Sequence, residues 1–201
     1  MNTIVRVGVD LAKRVIQVHA VDSSGKVVTN RALPRARFMV WCAQLPAGWV
    51  VAMEASAGVH HWSRKLRALG LEPRIIAAQL VAPYRMQGTG GKNDANDAAA
   101  LCEAASRPQM RFVTVKTPDQ QGILCVHRLR EGFKCDRTAC INRIRGLLAE
   151  FGLVFPKSPK RLREVLADVI EDASNDLVGL ARLTIEQAYV HWRQLEEQIQ
   201  W

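Results

Sequence analysis

The chain has 201 residues, 48% of them apolar, which is enough for one substantial core with an appendage and too evenly mixed for a disordered or fibrous protein. Its apolar runs, such as Trp49 to Met53, are too short to span a bilayer, and the first residues lack an apolar stretch with a small-residue cleavage site, so a cytoplasmic protein is expected. A surplus of 28 Lys and Arg over 19 Asp and Glu leaves a net charge of +9, which favours a polyanionic partner.

Thr3 to Leu11 alternates, with Val5, Val7, Val9 and Leu11 on one side and Arg6, Gly8 and Asp10 on the other, and reads as a strand. A second β-rich run, Arg14 to Val21, meets the turn signal Ser23-Ser24-Gly25, and Lys26 to Thr29 supplies a third short strand, so the chain opens with an antiparallel meander. Pro34 suits a helix start before the apolar side Phe38, Val40, Trp41, Leu45, and Pro46 and Gly48 stop it. Trp49 to Ala55 is continuous enough to be a strand covered on both faces. Val59 to Leu69 is a basic amphipathic helix closed by Gly70, and Pro73 to Ala77 another buried strand. A glycine-rich loop ending at Lys92 precedes an alanine-rich helix, Asp94 to Ser106, spaced through Ala98, Leu101 and Cys102. A last strand is expected within Met110 to Val115.

From Pro118 to about Phe151 the apolar residues Val126, Leu129, Phe133, Cys140, Ile144, Leu147 and Phe151 approach a heptad rhythm, the pattern of a coiled-coil arm. Pro156 and Pro159 interrupt it, and helices follow near Arg161 to Glu171 and Asp176 to Trp201. The change from mixed to helical pattern places a boundary at Thr117, with an α/β domain over 1–117 and a helical arm over 118–201. Five cysteines (Cys42, Cys102, Cys125, Cys135, Cys140) lack CxxC spacing and read as reduced, packed thiols.

Two carboxylates sit where strands should be most apolar. Asp10 ends the first strand and Glu54 the fourth, and an ionised acid there is costly without a partner. If those strands pair, the two acids emerge side by side. Asp94 and Asp97 share one face of a helix start, where a cation would relieve their repulsion. An oxygen-only site of this kind selects Mg2+ or Mn2+, and two such ions can clamp the attacking and leaving oxygens of a phosphodiester. Each acid also has an ordinary reading: a turn cap, an arginine partner, or a charge favoured by the helix dipole. The meander, an acid on the first strand, another after the fourth and acids on a late helix together describe a ribonuclease H-like mixed sheet.

Three blocks carry a closer likeness. Val7-Gly8-Val9-Asp10-Leu11-Ala12-Lys13, Met53-Glu54-Ala55-Ser56-Ala57-Gly58 and Lys92-Asn93-Asp94-Ala95-Asn96-Asp97-Ala98 resemble, in order, the conserved blocks of the DEDD insertion-sequence transposases, a family that includes the Piv pilin-gene invertase. The likeness extends over about residues 3–160. It implies a RuvC-like catalytic domain in which Asp10, Glu54, Asp94 and Asp97 bind two Mg2+ or Mn2+ ions for cleavage and rejoining of DNA in the bacterial nucleoid. It also implies a helical arm that joins protomers and touches nucleic acid, a noncoding guide RNA, and a second domain whose serine attacks DNA. None of Ser23, Ser24, Ser56, Ser63, Ser106, Ser158 or Ser174 occupies that later motif, so the chain is expected to be an N-terminal part. Ser56, nearest the acids, reads as a cap.

Further candidates are weaker. Lys92 and the arm residues Arg128, Arg130, Arg137, Arg143 and Arg145 suit phosphates, with a solvated helix face as the alternative. Residues 59–93 hold six basic side chains and one acidic, and 127–163 ten and three, whereas 164–201 hold two and eight. His60 or His61 could approach the acids as a base or phosphate contact. Two other functions stay open: a non-catalytic nucleic-acid-binding or inhibitory protein, and an actin-like or sugar-kinase-type ATPase. The second shares the Gly-x-Asp opening but needs a repeated phosphate loop that 201 residues do not contain.

Overall fold

The computed structural model describes residues 4–85 and 93–201. The chain divides into two compact units, 1–117 and 118–201.

The first unit is built on a six-stranded mixed sheet in the order β3-β2-β1-β4-β5-β6. Strands β1 (Ile4–Leu11), β2 (Val15–Asp22) and β3 (Val27–Pro34) form the antiparallel meander. β4 (Val50–Glu54) and β5 (Glu72–Ile76) then add in parallel, and β6 (Phe112–Val113) closes the edge antiparallel to β5. This is the ribonuclease H-like α/β arrangement. The third strand runs to Pro34 rather than Thr29, because it keeps pairing with β2 as far as Val15. Proline is tolerated there at an edge strand's last position.

One sheet face carries Val7, Val9, Val51, Met53 and Ile75. Helices α1 (Arg35–Cys42) and α2 (Val59–Ala68) cover it with Phe38, Trp41, Val59, Trp62 and Leu66. The opposite face carries Gly8, Ala52 and Ile76. It is covered by α4 (Asp94–Ala104), through Ala100, Leu101 and Ala104, and by Val81 of the short helix α3 (Ala78–Val81). Neither α3 nor the 3-10 turn after it, Ala82–Tyr84, was legible in the sequence, since elements of one turn show no periodicity.

In the second unit α5 (Pro118–Ala149) packs antiparallel on α7 (Gly179–Gln200), with α6 (Pro159–Glu171) completing the core. Arg130 reaches the carbonyl of Ile199, and Cys140 that of Ala188, which sets the direction. Cys140, Ile144 and Leu148 meet Leu162, Leu166, Ile185, Trp192 and Leu195. From Phe133 onward, therefore, the heptad pattern is satisfied inside the chain, whereas Val126 and Leu129 are exposed, as is Ile123. The thiols divide as well. Cys42, Cys102 and Cys140 are buried, with Cys42 pushed up to about 12 by burial, but Cys125 and Cys135 are exposed on α5, so the expectation of packed thiols fails for two of five. Among the described residues no helix is long and apolar enough to cross a membrane.

Candidate metal centre

The parallel ladder aligns Val7, Gly8 and Val9 of β1 with Val51, Ala52 and Met53 of β4. The next residue on each strand is an acid, so Asp10 and Glu54 stand level at the carboxyl ends of adjacent parallel strands. Side chains alternate between faces. Both acids therefore lie on the face of Gly8 and Ala52, the one that α4 covers.

Gly8 sets how closely α4 approaches. A Cβ on Gly8 would lie 2.0 Å from the carbonyl oxygen of Ala98 and 2.5 Å from the amide nitrogen of Cys102, so no other residue fits without moving the helix. The Cys102 thiol contacts the Arg6 carbonyl at 3.8 Å. α4 thus runs opposite to β1, Cys102 near Arg6 and Ala98 near Gly8. Four helical residues advance about 6 Å and two strand residues about 6.7 Å. One more step along each carries Asp94 to the level of Asp10. Asn93 starts the helix there by accepting a 2.8 Å hydrogen bond from the Asn96 amide, which places Asp94 and Asp97 in the first turn, where the helix dipole favours anions.

The electrostatics of Asp10 follow from that convergence. Burial raises its pKa above the ordinary carboxylate value, and Asp94, Asp97 and Glu54 raise it further, against an opposing pull from Arg85. Asp97 is 9% exposed and Glu54 half-buried. Arg85 is the residue that sequence reasoning missed. Its Nε donates to Asp97 Oδ1 at 2.6 Å and its terminal nitrogen to Glu54 Oε2 at 2.7 Å, so one guanidinium joins two of the four acids. It reaches them because α3 and the 3-10 turn pack on the α4 face of the sheet, bringing the chain back over the acid end. The sequence signal was one of two cations, Arg85 and Lys92, that precede the acidic helix.

Among the described residues, no three His, Cys, Asp or Glu side chains are arranged to hold a metal ion as they stand. The donor set nevertheless suits a hard cation. It is carboxylate throughout, and its uncompensated negative charge is registered in Asp10. Asp10, Glu54, Asp94 and Asp97 are thus brought to one end of the sheet, with Arg85 among them.

Lys92 and the glycine-rich loop lie outside the described residues. Arg130 donates to the Ile199 carbonyl at 2.9 Å, and Arg145 donates to Asn142 Oδ1 at 3.2 Å and to the Lys157 carbonyl. Those two are in part structural. Arg128 and Arg143 are exposed, and Arg137 is half-buried. His60 accepts a 3.2 Å hydrogen bond from the Lys116 amide, and His61 packs edge-on against Trp62. Ser56 does not cap α2 through its side chain; Gly58 occupies the cap, and Ser56 contributes its carbonyl to the Val59 amide.

Residues 7–153 match a protein family of the IS110 DEDD type, described as transposase. A probable family 20 transposase of Pseudomonas aeruginosa is 47% identical over 165 residues, covering 82% of this chain and 48% of its own. The transposase for insertion sequence element IS1111A of Coxiella burnetii is 42% identical over 180 residues, covering 90% and 48%. That for IS1328 of Yersinia enterocolitica is 32% identical over 200 residues, covering 100% and 58%. The chain spans about half the length of the curated relatives it matches.

Proposed function

This chain belongs to the DEDD family of insertion-sequence transposases, and from that premise we propose that its first unit is the metal-dependent, RuvC-like half of a DNA recombinase. The observation that carries this reading is the level placement of Asp10 and Glu54 beneath the helix start bearing Asp94 and Asp97, with the elevated pKa of Asp10 as its electrostatic trace.

In this reading Asp10, Glu54, Asp94 and Asp97 hold Mg2+ or Mn2+, two ions when fully loaded. Bound there, the metal would polarise phosphodiester oxygens and offset the charge that develops on them. The chain's own part is positional. The β1–β4 register and the Gly8 contact hold the four carboxylates at the sheet end, and the low exposure of Asp97 limits competing water. The substrate is DNA, cleaved and rejoined in the bacterial nucleoid, with a noncoding RNA as guide. The serine nucleophile is assigned to a second domain and not to any serine within these 201 residues. Nucleic acid would be contacted by Arg128, Arg137 and Arg143 of the helical unit and by Lys92 of the first unit, with Arg130 and Arg145 engaged mainly by the fold, and protomers would join through the exposed Ile123, Val126 and Leu129.

The test is a Mn2+ titration of the chain and of its Asp10→Asn, Glu54→Gln, Asp94→Asn and Asp97→Asn variants. It is followed by DNA cleavage with the same substitutions in a protein of the relatives' full length. Saturable Mn2+ binding that each substitution weakens, together with loss of cleavage, supports the reading. Binding that is absent, or indifferent to all four substitutions, removes the metal from it.

A further inference from the structure

We infer that Arg85 is a place-holding cation, which a divalent metal must displace from Glu54 and Asp97 before it can bind; the inference rests on the metal reading of the four acids.

The geometry leaves little choice. The two donor-acceptor distances, 2.6 Å to Asp97 and 2.7 Å to Glu54, are those of short charge-assisted hydrogen bonds, and they come from one rigid guanidinium. Each bond occupies a carboxylate oxygen that a metal would need. A Mg2+ ion drawn to the same carboxylates is repelled by a cation held at contact distance from them, so the ion and the guanidinium compete for Glu54 and Asp97. Charge accounting points the same way. Arg85 supplies one positive charge among four acids and attaches to two of them; among the described residues Asp10 and Asp94 take part in no ion pair. The compensation is therefore partial. Such a site still favours a divalent ion but binds it by exchange, with Arg85 released as the ion enters.

Two consequences separate exchange from a merely structural ion pair. Metal affinity is lowered by the presence of Arg85, and the metal-free fold depends on Arg85 more than the metal-loaded fold does. A structural pair would stabilise both forms equally and leave metal affinity alone.

The experiment measures Mn2+ binding, through loss of the free-ion paramagnetic resonance signal, and thermal unfolding with and without Mn2+, for the chain and for Arg85→Ala and Arg85→Lys. Arg85→Ala is expected to bind Mn2+ at least about tenfold more tightly, as removal of a competing charge-assisted contact implies. It should unfold at lower temperature without metal and recover most of that loss with it. Arg85→Lys, which keeps the charge but not the fork, should fall between and serves if the alanine variant does not fold. Equal or weaker Mn2+ binding in both variants, with the original chain binding normally, overturns the exchange and leaves the metal site standing. If neither the chain nor its variants bind Mn2+, the metal reading itself fails and the exchange falls with it.

Discussion

The acid end of the sheet and the arginine-rich helix α5 carry opposite charges, and the two proteins-within-a-protein handle them in opposite ways. At the sheet end, four carboxylates are gathered by register, partly withdrawn from water and left with one guanidinium between them, so that charge is held in an unfavourable state. Along α5 the cations are spread out, and some are tied to the fold's own carbonyls, as Arg130 is to Ile199 and Arg145 to Lys157. Concentrated, undercompensated charge marks a site awaiting a ligand; dispersed charge tied to backbone mostly ends helices and keeps a surface solvated.

The strongest way to break this contrast is to move the platform under the acids. Gly8→Ala places a methyl group within 2.0 Å of the Ala98 carbonyl, which must push α4 from the sheet. A loss of about 3 kcal/mol or more in denaturant unfolding is expected, at the upper end for overpacking, together with loss of Mn2+ binding. An unchanged unfolding midpoint would mean that α4 does not lie on Gly8. For the helical unit the matching substitution is Trp192→Ala, which empties a fully buried position against Cys140, Ile144 and Ile185. It should cost about 3–5 kcal/mol while leaving Mn2+ binding at the acids intact.

Removing charge sharpens the contrast with smaller effects. Asp10→Asn should raise the unfolding temperature of the metal-free chain at neutral pH, because it deletes an acid repelled by three others, and should abolish the extra stability that Mn2+ confers. Arg130→Gln, by contrast, should lower stability by about 1 kcal/mol through the lost contact with Ile199, with less than a severalfold change in DNA affinity at fixed salt. A large, salt-dependent loss of affinity would instead place Arg130 on nucleic acid.

Asp22, at the end of β2, provides a control of the opposite sign. The Ser24 hydroxyl at 2.6 Å, with the Ser24 and Lys26 amides, holds its carboxyl below the ordinary value. A lowered folded-state pKa adds stability above the unfolded value and loses it as pH falls through the folded one. Asp22→Asn should therefore flatten the acid limb of the stability profile and change little at neutral pH; an unaltered acid limb would show that the turn makes no use of the charge.

Most of the fold was legible because its determinants are local. Alternation from Ile4 to Leu11, the apolar run ending at Glu54, the turn at Ser23 to Gly25 and the alanine spacing after Asp94 each lie within a few residues, and each became the strand, turn or helix expected. The acids stood out for the same reason, being polar interruptions at the ends of apolar runs. The side-chain contacts between distant segments were not legible. Arg85 meets Glu54 across 31 positions and Asp97 across 12, carried there by a one-turn helix and a 3-10 turn too short to leave a pattern. The heptad residues of α5 likewise announced a partner without saying that α7 of the same chain would be it. Periodicity and residue type specify which face of an element seeks burial, and packing alone decides what it meets there, because that choice depends on volumes and directions summed over the whole unit.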